Sequence, residues 1–280
     1  MSIARRAGLA AALLALLTGW LTAEATASPL TTFHERLLKG RLYLRGGLLY
    51  LRPMPDSSEV RLTELQGAAE LALPNGPIPG SGVGAEPVAL PAGTVGYRVS
   101  RNVSLEAVLA VPFTMDLTFT GTLASESVAP YALGNIPTGV PAFGDTLGTT
   151  EVTPPIVTAV YRHAVHPRVQ PYGGLGLAYV MAGNTKITNS VLTEIATPTV
   201  EIDPDLAWVL QAGVDLQLWQ RLYLTLDIKF VGGLDLVAKM KGLELAVPDL
   251  PIYGTVSAGT GSAEITVNPL VFQAGVGWNF

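Results

Sequence analysis

Along residues 270–280, apolar side chains alternate with smaller or more polar ones. The apolar row is Leu270, Phe272, Ala274, Val276, Trp278 and Phe280. A period of two residues predicts a β-strand with two unlike faces. Because the strand ends on an aromatic residue, we expect it to belong to a sheet that closes on itself, with the apolar row facing lipid. A half-buried strand of a soluble sandwich gives the same alternation, so the other segments decide between the two.

The same alternation recurs in seven earlier segments. They span residues 41–52, 94–99, 103–113, 155–163, 169–182, 208–218 and 222–231. Long connections at 53–93, 118–153, 183–204 and 233–262 alternate with very short turns. An even number of strands with this rhythm is typical of outer-membrane barrels, whose periplasmic turns are short and external loops long. A soluble lipocalin-like barrel shares the strand count, but has mostly short loops and an inward apolar row.

The apolar rows carry almost no charge over about ten residues, the length that a tilted strand needs to cross a bilayer. Aromatic residues fall near the strand ends on these rows, as in the interfacial girdles of membrane barrels. They are Tyr50, Tyr97, Phe113, Tyr161, Tyr179, Trp208, Phe230, Trp278 and Phe280. The predicted fold class is therefore all-β, an eight-stranded antiparallel transmembrane β-barrel with short periplasmic turns and long external loops.

Composition agrees with this fold and narrows the function. Only 14% of the 280 residues are charged and the mean hydropathy is +0.39, yet no run beyond the N-terminus approaches the roughly 18 apolar residues of a membrane helix. The 30 glycines and 21 prolines favour strands and turns over helices. Cysteine is absent, so disulfides and thiolate sites are excluded. With a net charge of −5 and no basic patch, nucleic acid is not an expected partner.

The N-terminal segment 1–27 has the pattern of a secretory signal peptide. Arg5 and Arg6 precede an apolar core at 7–21, and Ala25-Thr26-Ala27 forms a small-residue cleavage site. A membrane anchor is the alternative, but the core is too short for one. We expect a single mature domain at 28–280, with 28–40 as a periplasmic lead-in, located in the bacterial outer membrane.

The inward-facing rows divide by depth once the N-terminus is placed in the periplasm. Charged inward residues are predicted in the periplasmic half or near mid-height: Arg45, Arg98, Glu106, Arg162, Asp215, Asp227 and Lys229. An eight-stranded barrel is only wide enough for side chains or one small ligand. Opposite charges in so narrow a space are expected to pair and to plug the floor.

Towards the outer rim the inward row becomes apolar. The predicted lining of this upper lumen is Leu49, Leu51, Ala110, Val180, Val209, Val231, Val267 and Val271. Such a lining favours an apolar cup, open to the outside, for small hydrophobic molecules. The alternative is that these side chains only pack against one another. The apolar loop at 128–144 is expected to extend the cup or to meet lipopolysaccharide.

Other candidate sites do not hold. The glycines at 173–176 lie inside a predicted strand with no helix after it, so a phosphate loop is not expected. His34, His163 and His166 have no metal-ligand spacing and fall on the periplasmic side. A lipid A-modifying enzyme needs a Ser/His constellation at the outer rim, where no histidine is available. We therefore predict no catalytic residue, no metal and no cofactor, and we interpret Asp227 and Lys229 as structural charges.

Several stretches together resemble the outer membrane protein W family, which includes alkane-uptake porins. The stretches are LEAVLAVPF (105–113), TPPIVTAVYR (153–162), VQPYGGLGLAY (169–179), LQAGVDL (210–216), LTLDIKF (224–230) and NPLVFQAGVGWNF (268–280). The resemblance implies an eight-stranded monomer with a hydrophobic upper channel that passes small apolar compounds sideways into the membrane. The first strand and loop match poorly, and the loops are more apolar than is usual in the family.

The predicted function is passive uptake of small hydrophobic molecules through an apolar upper lumen above a charged floor. The alternative is a surface receptor or structural barrel with a filled interior, acting through its long loops. Expected partners are outer-membrane lipid, lipopolysaccharide, apolar solutes, and the barrel-assembly machinery through the strand that ends at Phe280.

Overall fold

The computed structural model describes residues 40–280, except 74, 110, 195–196 and 250–253. The predicted signal peptide 1–27 and nearly all of the lead-in lie outside the described residues. The strands, numbered in chain order, are β1 Leu42–Arg52, β2 Pro55–Ser57, β3 Arg61–Thr63, β4 Gly76–Pro77, β5 Ser81–Ala85, β6 Val88–Arg98, β7 Val103–Leu109, β8 Phe113–Gly121, β9 Tyr131–Ala132, β10 Ile136–Pro137, β11 Thr146–Thr153, β12 Ile156–Arg162, β13 Val169–Ile187, β14 Thr199–Ile202, β15 Asp205–Gln217, β16 Leu222–Gly232, β17 Leu234–Ala246, β18 Thr255–Val267 and β19 Leu270–Asn279. Two helices of four residues, α1 Thr122–Ser125 and α2 Ser190–Thr193, and a 3-10 helix at Gly67–Leu71 complete the elements.

Eight of these strands close into an antiparallel barrel, which confirms the predicted fold class. Their order around the wall is β12-β7-β6-β1-β19-β16-β15-β13, and β12 pairs with β13 to complete the circle. Closure depends on the C-terminal strand, since β19 pairs with β1 from Tyr43↔Asn279 to Arg52↔Leu270 and with β16 on its other side. Every barrel strand therefore has a neighbour on both sides, as a sheet surrounded by lipid requires.

The alternation along each barrel strand separates an exposed apolar row from a buried row. On the outside, Leu48, Leu175 and Leu210 expose 69, 66 and 50% of their surface. Aromatic rings lie near both ends of this surface: the rings of Tyr50 and Phe272 have their centroids 6.4 Å apart at one end, and Trp278 lies at the other. Such a surface is stable only in an apolar medium.

Four predicted strand ends are wrong by three residues or more. Strand β6 begins at Val88 rather than at 94, because Val88 to Ala92 pair with β1 in the barrel wall. Strand β7 ends at Leu109, and Phe113 instead begins β8, which leaves the wall to pair with β5 and β11. Strand β13 continues to Ile187 rather than ending at 182, and β15 begins at Asp205 rather than at 208. Prolines caused the first error, since Pro91 suggests a loop but is tolerated on a strand edge that needs no N–H.

The four long connections contain strands of their own and fold into a β-extension above the barrel. On one side, β5, β8 and β11 continue the barrel sheet along the upper half of β13. On the other, β14, β17, β18, β3 and β4 form a second sheet, in which β17 and β18 make a long hairpin from Leu234↔Val267 to Ala246↔Thr255. A register shift near Gly242, whose φ is +73°, breaks the alternation that would have marked this hairpin.

The extension has its own hydrophobic core. Side chains from both sheets and from α1, α2 and the 3-10 helix are buried together; they include Leu62, Ala69, Leu73, Phe119, Leu123, Leu147, Leu192, Leu245 and Ala258. Asn189 begins α2 by accepting hydrogen bonds from the backbone N–H groups of Val191 and Leu192. Among the described residues, no helix is long and apolar enough to cross a bilayer.

Candidate functional site

The barrel interior is divided into a charged lower part and an apolar upper part. In the lower part, three cations and three carboxylates are almost completely buried. They are Arg45, Arg162 and Lys229, with Glu106, Asp215 and Asp227, and none exposes more than 8% of its surface. Equal numbers of opposite charges make this cluster, which we call the floor, formally neutral. Buried charges are tolerated only when paired and hydrogen-bonded in this way.

Two arginines and two carboxylates form the centre of the floor. Arg45 Nη2 lies 2.9 Å from Glu106 Oε1 and 3.3 Å from Asp215 Oδ2. Arg162 contacts the same two carboxylates, through Nη2 to Glu106 and through Nε to Asp215 at 3.2 Å. Each carboxylate thus bridges two guanidinium groups contributed by different strands. The side chains tie β1, β7, β12 and β15 together across the lumen.

A second ion pair joins the floor through neutral groups. Lys229 contacts Asp227 on the same strand. Gln211 Nε2 donates to Asp227 Oδ2 at 2.6 Å and to Glu106 Oε2 at 3.0 Å, and Tyr172 donates to Asp227 Oδ2 at 2.7 Å. The floor is therefore one connected network rather than a set of separate pairs.

Three tyrosines frame the floor, and each lies over an inward-facing glycine of a neighbouring strand. A Cβ on Gly96 would lie 1.9 Å from the ring of Tyr43, and one on Gly277 would lie 2.1 Å from that of Tyr223. Tyr172 covers Gly213 in the same way. The Arg45 guanidinium carbon lies 5.2, 5.0 and 5.9 Å from the ring centroids of Tyr43, Tyr172 and Tyr223. These glycines leave room for rings that fill the barrel and hold Arg45 by cation–π contacts.

Above the floor lies an apolar cavity of about 180 Å³. Its lower wall belongs to the barrel and is formed by Leu51, Ile156, Ala178, Val180, Val231 and Val271. Its upper wall belongs to the extension and includes Leu62, Phe119, Leu123, Leu147, Leu192, Leu243, Leu245 and Ala258. Polar lining residues are few: Thr150, Lys239 and Ser262. An apolar cavity of roughly 150 Å³ is known to stay dry and to bind a benzene-sized molecule, so this space suits a small hydrophobic ligand.

The wall beside this cavity has a break in its strand pairing. The last pair between β7 and β12 is Val108↔Ile156, and the next pair above it, between β8 and β11, is Phe113↔Val152. The intervening segments 109–112 and 153–155 contain Pro112, Pro154 and Pro155, which have no N–H to donate. Val152, Pro154 and Ile156 also line the cavity. The apolar space thus reaches the part of the wall where the described backbone is not paired across the two strands.

Comparison with known proteins identifies the barrel. The model of the OmpW family matches residues 38–280, a range that includes every described residue. The protein belongs to the OmpW family. Its members are bacterial outer-membrane β-barrels with porin-like function, so the predicted family and location are confirmed. A sequence comparison with curated proteins finds no match.

Solved structures agree with the OmpW-family barrel in fold. The chain is similar to OprG from Pseudomonas aeruginosa with a TM-score of 0.65 and 18% identity, over 86% of this chain and 96% of that chain. It is also similar to AlkL, solved in DMPC lipid bilayers, with a TM-score of 0.50 and 15% identity, over 92% of this chain and 95% of that chain. At these identities the comparisons show the fold alone.

Within this OmpW-family barrel, the predicted apolar lumen residues fall into three groups. Leu51, Val180, Val231, Val267 and Val271 line the cavity. Leu49 and Val209 are buried in the apolar cluster that joins it, without lining it. Ala110 lies outside the described residues. The predicted cup extends beyond the barrel, because extension side chains such as Leu62 and Phe119 form its upper wall. Its opening to the outside stays a prediction.

The predicted charged residues are brought together with one exception. Arg98 is not part of the floor: its Nη2 donates to Asn279 Oδ1 at 2.7 Å, at the periplasmic mouth. Sequence reasoning also missed Tyr43, Tyr223 and Gln211 as members of the network. All three occupy inward positions of their strands, but only the register shows which charges they meet. Within the described ranges, no group of three His, Asp or Glu side chains is placed to hold a metal ion.

Proposed function

We propose that this protein is an outer-membrane channel for the passive uptake of small hydrophobic molecules. The proposal is carried by one observation, the apolar cavity that extends from the upper barrel into the extension with few polar side chains in its lining. Transfer of an apolar solute from water to such a surface is favourable by a free energy of about 25 cal/mol per Å² of apolar surface buried. Ions gain little there, since Lys239 is the one charged residue in the described lining and most of the wall cannot replace their hydration.

Below the cavity, the charged floor makes a straight path to the periplasm unfavourable. A solute would have to displace side chains that hold one another by ion pairs and hydrogen bonds. We propose that it instead leaves sideways, through the break between 109–112 and 153–155. The support is the missing pairing, the three prolines, and the contact of Pro154 and Val152 with the cavity. Because prolines cannot donate backbone hydrogen bonds, they prevent the two segments from pairing as strands.

Substitution inside the cavity tests the uptake proposal. Val231 is 3% exposed and lines the cavity, so Val231→Arg places a charge in the path and is expected to reduce entry at least tenfold. The measurement is the rate at which N-phenylnaphthylamine gains fluorescence in cells that express the variant. Leu236→Trp, which narrows the cavity without adding charge, covers the case in which the arginine variant fails to fold.

The matched control is Val237→Arg. Val237 follows Leu236 on β17 and does not line the cavity. Equal entry rates for wild type, Val231→Arg and Leu236→Trp, with folded protein in the membrane, would contradict the uptake proposal. No enzymatic function is proposed, because outer-membrane barrels of this family are not known as enzymes.

A receptor function remains the second candidate because the tip of the extension exposes apolar side chains. Tyr131, Leu133 and Ile136 expose 55, 65 and 43% of their surface. Removing the whole segment 128–144 would also remove Val128 and Phe143 from the cavity wall, so it does not separate the two functions. The double variant Leu133→Asn with Ile136→Asn separates them. If the protein is a receptor, this variant is expected to lose receptor activity while solute entry stays unchanged.

A further inference from the structure

The charges of the described residues are sorted by height along the barrel axis. The floor is neutral, with three charges of each sign. Outside it, the extension and the upper strand ends carry 17 acidic and five basic residues, a formal net charge of −12. At the opposite end there are five arginines and no acidic side chain among residues 40–280: Arg41, Arg98, Arg101, Arg168 and Arg221.

Four of these arginines are spread evenly around the periplasmic rim. Arg101 lies in the turn from β6 to β7, Arg168 in that from β12 to β13, and Arg221 in that from β15 to β16. Arg41 precedes β1 where it meets β19, which is the fourth position around the circle. Each place where two barrel strands are joined or meet at this end therefore has one exposed arginine. Arg98 lies further inside, bound to Asn279.

The rim arginines are available to an external partner. Within the described part of the chain, the guanidinium groups of Arg101, Arg168 and Arg221 make no ion pair and no hydrogen bond, and Arg41 makes only a 3.3 Å hydrogen bond to the Tyr97 hydroxyl. Two exposed histidines, His163 and His166, flank the same rim. Four like charges so placed repel one another unless anions screen them.

Exposed apolar residues accompany each rim arginine. Val99, Val165, Trp219 and Phe280 expose 50, 62, 69 and 52% of their surface beside Arg101, Arg168, Arg221 and the start of β1. An apolar side chain that enters the acyl region next to a cation that stays at the headgroups is the pattern of a lipid-facing interface. A guanidinium group can bind a phosphate through two parallel hydrogen bonds.

We propose that this rim binds the headgroups of anionic phospholipids in the periplasmic leaflet, one around each arginine. The acidic extension is excluded from such contacts by its own charge, so the asymmetry also favours a single orientation in the membrane. Lipid binding at this lower rim does not depend on the route of the solute.

Lipid selectivity of the purified full-length mature protein tests the proposal. The protein is placed in vesicles of phosphatidylcholine with phosphatidylglycerol, and spin-labelled versions of both lipids report which is enriched at the protein surface. A polybasic surface gains about 1 kcal/mol per basic residue, so an enrichment of phosphatidylglycerol of roughly threefold to fivefold is expected, falling at 0.5 M salt. Ten millimolar inorganic phosphate should leave it unchanged, because free phosphate lacks the lipid anchor.

The decisive variant is Arg101→Gln with Arg168→Gln and Arg221→Gln, which is expected to bring the enrichment close to onefold. The matched control removes three exposed cations of the extension, Arg61→Gln with Lys186→Gln and Lys241→Gln, and should keep it. Unchanged far-ultraviolet circular dichroism and heat-dependent gel mobility show that both variants are folded. The proposal is overturned if the wild type shows no enrichment, if the rim variant retains it, or if the control loses it equally.

Discussion

At the scale of single residues, the floor depends on two carboxylates, Glu106 and Asp215, that each pair with two arginines. Glu106 accepts from Tyr43 at 2.6 Å and from Gln211 at 3.0 Å, in addition to its contacts with Arg45 and Arg162. Its neutralisation therefore affects four partners at once. By contrast, the side chains of the surface pair Lys241 and Glu201 are 54 and 62% exposed, so the loss of one charge leaves no buried partner unpaired.

We expect Glu106→Gln to destabilise the barrel by about 3 kcal/mol, because two buried guanidinium groups lose a shared counter-charge. The measurement is equilibrium unfolding by urea in lipid vesicles. Lys241→Gln is the control and should cost less than about 1 kcal/mol. Similar losses for both variants would show that the floor charges are not coupled as described.

The glycines under the tyrosines make a second prediction. Gly96→Ala introduces a Cβ that overlaps the ring of Tyr43, which contacts Ser104 and Glu106 and has little room to move. A loss of about 1–3 kcal/mol in the free energy of unfolding is expected. Gly46→Ala is the matched control, since a Cβ there meets nothing within 4 Å and the change should stay within about 0.5 kcal/mol. Equal effects would argue against packing of the ring on Gly96.

At the scale of elements, β7 and β12 are the shortest strands of the wall, with seven residues each. Above them the chain continues into β8 and β11 of the extension, which pair with each other. Strand β8 also pairs with β5, and β11 with the upper part of β13. All six other barrel strands have ten residues or more, so the pairing of β7 with β12 is the first to end, at the level of the prolines. The proposed exit is thus a consequence of strand length and not of an isolated residue.

Pro112→Ala restores a backbone N–H at the break and is expected to slow entry of N-phenylnaphthylamine severalfold without loss of stability, because a narrower gap hinders sideways release. Pro137→Ala, in the exposed strand β10 of the extension, is the control and should behave as wild type. If both variants match the wild type, the exit lies elsewhere in the wall.

For the whole molecule, the paired charges of the floor and the apolar cavity above it argue against a water-filled pore. We expect no stepwise ionic conductance above the baseline when the purified protein is inserted in a planar bilayer, since ions would have to cross both the paired charges and the apolar cavity. Wild-type channel steps that are also retained after Glu106→Gln would contradict the filled interior. A general porin in the same bilayer confirms that insertion is detected.

The alternation of residues by itself determined the eight barrel strands, their lipid-facing rows, and the separation of charged and apolar inward positions. These properties follow from a backbone that turns successive side chains to opposite faces. They can therefore be predicted from the local sequence. The resemblance of segments such as 268–280 then indicated the family, which the comparison confirmed.

Only the tertiary structure decided which residues meet. The pairing of Arg45 with Glu106 and Asp215, the fit of Tyr43 over Gly96, and the folded extension all join residues far apart in the chain. Strand register and the folding of the long connections set these contacts. The local alternation did not predict them, because prolines, glycines and register shifts interrupt the alternation in the long connections. The alternation of a strand specifies its faces, whereas the cavity depends on how several strands and the extension close around one space.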